Sequence, residues 1–373
     1  ILIGAFLSVV IIGVSAYISS YIVTFALDLT GIATNDFRID VEIPNGADLD
    51  TVAAILRENN IIHSEKFFKL FADFTDKSDT FQSGTYTLSS TMSYMTLFST
   101  LQNREIDYKT ITIRIVEGMT AAEIGTLLEE NKVCYAEDFE QYYKNLQNNY
   151  DFERRIREKS TKFNQLEGYL FPDTYEFYAA LDIPEIEYDT EEERKKNEDA
   201  QRKREIENAE EAAKKLYQNF NEKMTKQMYK QMGELGLTLD ETITLASMVQ
   251  KEAADTEDMY YVASVFLNRI HDSENYPNLQ SDVTVLYVEN EIRPYLESSS
   301  TRYSRFADAY NTYICNGIPA GPICNPGLDA INAVLNAAST DYYYFCANEE
   351  TGEVYYAVTQ EEHEANLVLA GLR

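Results

Sequence analysis

A stretch of this chain occurs twice, and the repeat limits the folds open to its first half. Val41-Glu-Ile-Pro-Asn-Gly46 precedes Val52, Ile55 and Leu56 at helical spacing, followed by Asn59, Ile62 and Phe67. Ile113-Arg-Ile-Val-Glu-Gly118 precedes Ile124, Leu127 and Leu128, followed by Asn131, Cys134 and Phe139, and every pair is offset by the same 72 positions. Apolar alternation, a glycine, then a 3.6-residue apolar period reads as strand, turn and amphipathic helix. A second helix should start at Ser64-Glu-Lys in one copy and at Ala136-Glu-Asp in the other. Gly84–Leu88 and the helix-like Ser93–Leu101 would complete the first unit. This spacing predicts one α/β domain over 36–107 and a second α/β repeat unit with its connector over 108–160.

Before the repeat, Ile1 to Leu27 carry no charge, and Asp28 is the first. About 20 apolar residues span a bilayer as a helix, so 1–27 is expected to be a transmembrane anchor rather than a cleaved signal peptide or a buried core helix. No Lys/Arg cluster follows it, which places the rest of the chain outside the cytoplasm. After the repeat, residues from Glu185 to about Leu235 are densely charged. Ile206, Ala209, Ala213, Leu216 and Phe220 share one stripe, which reads as a long solvated helix over about 190–235.

With 373 residues the chain can build two or three cores. Its net charge of −30 repels phosphate backbones, so nucleic acid is excluded as a partner; a generally acidic surface explains the same charge. Cys134, Cys315, Cys324 and Cys346 form no CxxC pair, and His63, His271 and His363 are the only histidines. No metal or other cofactor is therefore expected. Cys315 and Cys324 are close enough to bridge outside the cell, a question the sequence leaves open.

In Leu245-Ala-Ser-Met-Val-Gln-Lys-Glu-Ala253, Glu252 shares a helix face with Leu245, Met248 and Val249. A carboxylate on an apolar stripe loses hydration, so its pKa rises and it stays protonated near neutral pH, as a general acid must. A structural ion pair or a cap would use the same residue.

Leu166-Glu-Gly-Tyr-Leu-Phe-Pro-Asp-Thr-Tyr175, Ala246–Ala253, Val262–Arg269, Leu279–Val285, Tyr310–Tyr313 and Gly317–Gly327 stand in a fixed order. Together they resemble the endolytic murein transglycosylase family, the YceG-like proteins. The repeat units likewise resemble LysM-like modules, which bind N-acetyl sugars of peptidoglycan; a plain αβ spacer would use the same grammar.

The resemblance implies cleavage of MurNAc-β-1,4-GlcNAc bonds in nascent glycan strands, leaving 1,6-anhydro-MurNAc ends and limiting glycan length. It places the catalytic acid at Glu252. Many relatives carry a second acidic residue two positions earlier, where this chain has Gln250. Gln280, Ser281, Asp282, Tyr310, Asn311, Thr312, Tyr313 and Asn325 are the expected substrate-binding residues, through hydroxyl, amide and aromatic surfaces suited to sugars. Glu167 and Asp173 fit the groove or capping and turn roles. Arg269 and His363 are read as structural.

The expected whole is an α+β protein. A transmembrane helix leads to a LysM-like α/β region, and a long charged helix lies within an α+β lytic transglycosylase-like catalytic domain over 161–373. Expected partners are peptidoglycan glycan strands, the cell membrane and the penicillin-binding proteins of wall synthesis. The competing readings are a hydrolytic muramidase, with Asp282 as second carboxylate, and a non-catalytic wall-binding scaffold.

Overall fold

In a computed structural model, strand β1 (Arg38–Ile43) pairs antiparallel with β2 (Gly84–Ser89), and two helices, α1 (Leu49–Glu58) and α2 (Glu65–Phe74), lie between them in sequence. The structure describes Arg38 to Arg373, except residues 45, 76–80, 82, 103–108, 147–149, 183–190, 254 and 349, with only isolated positions before Arg38. The expected membrane segment 1–27 thus lies outside the described residues. Among those described, no helix is long and apolar enough to cross a membrane. The chain divides into two compact units, Ile1–Asp107 and Tyr108–Arg373.

The first unit has its own core. Asp48 and Ser64 cap α1 and α2 by accepting from the backbone N–H groups of Thr51 and Phe67. Val41, Ile43, Leu56, Phe68, Tyr86 and Leu88 are buried together, with Phe98 of α3 (Tyr94–Gln102) stacked 4.6 Å from Phe68.

The second unit begins with the other copy. Strand β3 (Thr110–Arg114) leads to α4 (Ala121–Glu130), whose Thr120/Glu123 capping box fixes its start, and then to α5 (Ala136–Lys144). Strand β4 (Thr174–Tyr178) closes it antiparallel to β3, pairing Thr110 with Tyr178. Both copies are therefore β-α-α-β; their spacing predicts the strand and two helices of each and the closing strand of the first, but not β4. The second differs in the insertion before β4, which carries the Leu166–Tyr175 motif. No boundary falls at 160/161: Ile113, Phe139, Tyr169, Phe220, Val249 and Val334 belong to one continuous core. The second copy is part of the larger unit rather than a module before it.

The charged run is two helices, not one. Helix α6 (Glu191–Lys223) ends just before Thr225, which caps α7 (Lys226–Leu235). Nor is α6 simply solvated, because Ala209, Ala213, Leu216 and Phe220 are buried, and the Phe220 ring meets Phe152 at 4.9 Å and Tyr169 at 5.0 Å. Arg202 grips Asp138 of α5 through both guanidinium nitrogens at 2.6 Å. Charge dominates the composition of this helix, but its stripe decides where it lies.

The chain continues through α8 (Leu239–Glu252), α9 (Thr256–His271) and α10 (Asp282–Tyr287). A π turn (Val288–Ile292) and a 3-10 turn (Arg293–Tyr295) follow. Helices α11 (Thr301–Tyr310) and α12 (Leu328–Leu335), the hairpin β5 (Tyr344–Ala347) and β6 (Val354–Ala357), and α13 (Gln360–Leu369) complete it. Gly168 locks two motifs together. It adopts φ +91°, and a Cβ there would stand 2.6 Å from Pro322, so only glycine lets the Leu166–Tyr175 segment approach the proline turn this closely.

Candidate active site

Helix α8 is buried almost throughout, from Leu239 to Val249, so its direction is fixed by the core. Its first turn is held by Asp240, whose carboxylate meets Lys162 at 2.7 Å and Lys159 at 2.9 Å and accepts the Tyr169 hydroxyl at 2.9 Å. Farther along, buried Ser247 accepts the Ile323 backbone N–H at 3.0 Å. Glu252 is the last residue of this anchored helix and is half-buried.

The Ser281 hydroxyl donates to Glu252 Oε1 at 2.6 Å. Burial raises the pKa of Glu252; the Ser281 bond opposes that rise and the nearby Asp282 charge adds to it. A carboxyl group so placed holds its proton into a higher pH range than a solvated one.

The segment that presents Ser281 is built with care. Gln280 sits at φ +53°, a conformation uncommon outside glycine. Arg269 holds it there, donating to the Leu279 carbonyl at 2.8 Å and the Gln280 side-chain oxygen at 3.3 Å, and through Nε to the Tyr343 carbonyl at 2.7 Å. Thr312 locks the other side: its Oγ1 accepts the Ser281 N–H at 2.9 Å, and its carbonyl accepts the Gln280 N–H at 3.1 Å. Arg269 is thus occupied by backbone and Gln280, with its guanidinium 5.2 Å over the Tyr344 ring. His363 stacks on the same ring at 5.1 Å.

The expected site residues separate into two groups. Gln280, Asp282 and Tyr313 are exposed at the rim; the Tyr313 hydroxyl donates to Asp282 Oδ1 at 2.7 Å. Burial, then Asp282, pushes the Tyr313 hydroxyl up to about 12. Ser281 lies beneath them against Glu252.

The other expectations need correction. Tyr310 has no exposed ring face; it is fully buried, its oxygen accepts the Phe163 N–H at 3.3 Å, and its ring packs on Tyr287. Thr312 is equally buried in the lock just described. Asn325 is buried too, accepting the Leu170 N–H at 2.8 Å and donating to the Met119 carbonyl at 3.0 Å. Half-buried Asn311 turns its oxygen to the Tyr313 N–H at 2.9 Å. Tyr310, Thr312 and Asn325 are therefore buried, and backbone groups claim their polar atoms.

Gln250 accepts the Gly327 N–H at 3.0 Å. It lines a cleft of about 460 Å³ with Arg114, Glu117, Asp173, Lys223 and Asp329, a cleft that does not include Glu252. What sets Glu252 apart is its burial and its hydrogen bond from Ser281, not the size of a cleft.

Glu167 is fully buried at the N-terminus of α4, accepting the Ala121 N–H at 2.9 Å and the Asn325 amide at 3.2 Å. It caps a helix and does not face the groove. The cysteines are free; Cys324 is buried and donates to the Ser247 carbonyl, so no bridge joins it to Cys315. Among the described residues, no group of three His, Cys, Asp or Glu side chains is placed to hold a metal ion.

Residues 41–368 match the model of the YceG-like family. The chain is 28% identical over 333 residues to the endolytic murein transglycosylase of Bacillus subtilis, covering 87% of this chain and 82% of that protein. It is 26% identical over 348 residues to the endolytic murein transglycosylase of Streptococcus pneumoniae, covering 88% of this chain and spanning only 58% of that protein's length. A crystal structure of a YceG-like protein from Listeria monocytogenes is similar with a TM-score of 0.52 at 25% identity, covering 89% of this chain and 100% of the other.

Proposed function

Because the chain belongs to the YceG-like family, we propose that it is an endolytic peptidoglycan lytic transglycosylase with Glu252 as its catalytic acid. The observation that carries this reading is Glu252 itself, a half-buried carboxyl at the end of an anchored helix, raised in pKa and bonded at one oxygen by Ser281. The names of the Bacillus and Streptococcus relatives support the same activity.

The chemistry needs one carboxyl group in two protonation states. Protonated Glu252 gives its proton to the glycosidic oxygen between MurNAc and GlcNAc as the C1–O bond breaks. The resulting carboxylate then takes the proton from the MurNAc C6 hydroxyl, whose oxygen closes on C1 to form the 1,6-anhydro ring. The substrate N-acetyl group supplies the assistance that a second carboxylate gives other glycosidases. Ser281, donating to Oε1, leaves Oε2 to carry the proton and stabilises the carboxylate between the steps. Gln280, Asp282 and Tyr313 offer the rim contacts to hydroxyl and acetamido groups.

The wider reading is a single-pass membrane protein of the bacterial cell envelope, its residues 1–27 the anchor and its catalytic part extracytoplasmic. Its substrate is nascent glycan beside the penicillin-binding proteins, its β-α-α-β unit over 36–107 serves as a LysM-like sugar-binding module, and the outcome is a limit on glycan chain length. A second reading, hydrolysis with Asp282 as base, draws on the position of Asp282 beside Glu252. Mass spectrometry of digested uncrosslinked glycan strands decides between them. Anhydro-MurNAc ends, absent with Glu252→Gln, are the expected result. Water-added ends alone would replace the first reading with the second, and full cleavage by Glu252→Gln would remove Glu252 from both.

A further inference from the structure

The second repeat copy carries a groove that none of the preceding roles uses. One recess, about 160 Å³, is bounded by Thr120, Lys251, Val283 and Leu286. A second, about 350 Å³, is bounded by Thr126, Leu127, Glu130 and Tyr295. Glu123, Asn290 and Glu291 line both recesses, so the two lie side by side along one face.

The inner end is lined by Lys251 and Val283, the chain neighbours of Glu252 and Asp282, although Glu252 itself does not line it. From there the groove follows α4, whose ten residues extend about 15 Å, room for about three sugar rings. Its opposite wall contains the π turn Val288–Ile292, and the added residue of a π turn brings the consecutive Asn290 and Glu291 both onto the groove.

We propose that this groove, formed by α4 and the segment Val283–Tyr295, binds the glycan strand beyond the cleavage point as a run of sugar subsites. The inference rests on the transglycosylase reading and assigns its substrate a path. An enzyme that cuts inside a strand must hold sugars at a distance from the bond it breaks. The lining suits an uncharged, hydroxyl-rich ligand. Glu123, Glu130 and Glu291 accept from hydroxyls, the Asn290 amide both donates and accepts, and Tyr295 offers a ring that is 54% exposed. Lys144 of α5 lies 5.5 Å over that ring, so the second copy also steadies it. The same carboxylates repel an acidic ligand, which directs the carboxylate-bearing stem peptides out of the groove. Nothing in this role requires the second copy to act as a free-standing module; its place is the wall of the catalytic groove.

The test uses the full chain carrying Glu252→Gln, so that ligands bind without being cut, with N-acetylglucosamine oligomers as uncharged probes. Tyr295→Ala and Asn290→Ala, both at exposed positions, should each weaken binding of the hexasaccharide about tenfold, with the trisaccharide affected less. In the Glu252 background, kcat/KM on long glycan strands should fall by a similar factor through KM. Unchanged hexasaccharide affinity in both variants would overturn the proposal, as would preferential binding of a lysine-containing stem peptide that Glu291→Gln abolishes. Absence of glycan cleavage by the unmodified protein would instead refute the transglycosylase reading, and the oligomer titration would still decide the groove.

Discussion

Replacing Glu167 with Gln should make the protein more stable, increasingly so as the pH rises. Glu167 is wholly buried, and burial first, then the Glu291 charge, pushes its pKa from 4.5 to about 8, against the opposing Ala121 N–H bond. At neutral pH the group is therefore mostly a neutral acid. Its Oε2 lies 3.4 Å from the Tyr287 hydroxyl and 3.5 Å from the Asn164 amide, while buried Asn164 Oδ1 has no hydrogen-bond partner. Turning that amide over gives the Glu167 proton an acceptor, and the Nε2 of a glutamine finds the same one. With the folded pKa above the unfolded one, the folded state holds more protons between about 4.5 and about 8. Stability is thus complete below that window and declines as the pH climbs through it. The group removes on the order of 2–3 kcal/mol between about pH 5.5 and about pH 7.5. Glutamine cannot ionise and removes this slope. Urea denaturation of both proteins across the window measures the difference directly. A stability difference that stays flat with pH, or one that favours the wild type more at high pH, would refute a neutral buried Glu167.

Five further substitutions address the site and its frame. Asp282→Asn removes a charge that raises the Glu252 pKa, so the alkaline limb of the kcat/KM profile should move to lower pH; Ser281→Ala removes an opposing bond and should move it higher, with lower kcat. Arg269→Lys deletes the fork that holds Leu279, Gln280 and Tyr343 together, and should lower unfolding stability by about 2–4 kcal/mol while slowing cleavage through a misplaced Ser281. Gly168→Ala brings a methyl group to 2.6 Å from Pro322 at positive φ, for a loss on the order of 3 kcal/mol in the same denaturation assay, whereas Gly236→Ala, also at positive φ but with open space around it, should lose about 1 kcal/mol.

The repeat could be read without coordinates because each copy encodes its elements locally. Thr120 and Glu123 form a reciprocal cap directly before the apolar positions Ile124, Leu127 and Leu128, and Asp48 and Ser64 announce two more helix starts. What the spacing could not reveal is which core the second copy joins. That depends on β4 returning across a long insertion to pair with β3, a non-local contact with no periodic signal. The charged run misled in a related way. Its composition advertises solvent, yet four small or apolar residues on one stripe suffice to seat α6 in the core. The stop at Lys223 hangs on Thr225, one cap residue among many polar neighbours.

The candidate site was legible where a residue's chemistry and its burial are set by the same helix, and illegible where burial is set by distant chain. Glu252 belongs to the first kind, since it ends a helix whose Leu245, Met248 and Val249 are buried. Tyr310 and Tyr313 are three residues apart in one motif, yet one reaches the backbone of Phe163 in the interior and the other meets Asp282 at the surface. Nothing in their local sequence separates them, because the groove wall is made of turns whose N–H groups cannot find partners in a helix or sheet. Those groups must be satisfied by side chains, and Thr312, Asn325 and Ser247 are consumed that way. A loop-built groove therefore draws on one supply of polar residues for two purposes, and a motif names them all alike. The residues that stay exposed are those whose backbone surroundings are already satisfied, as at Gln280, which is at positive φ, held by Arg269 and Thr312, and exposed at the rim.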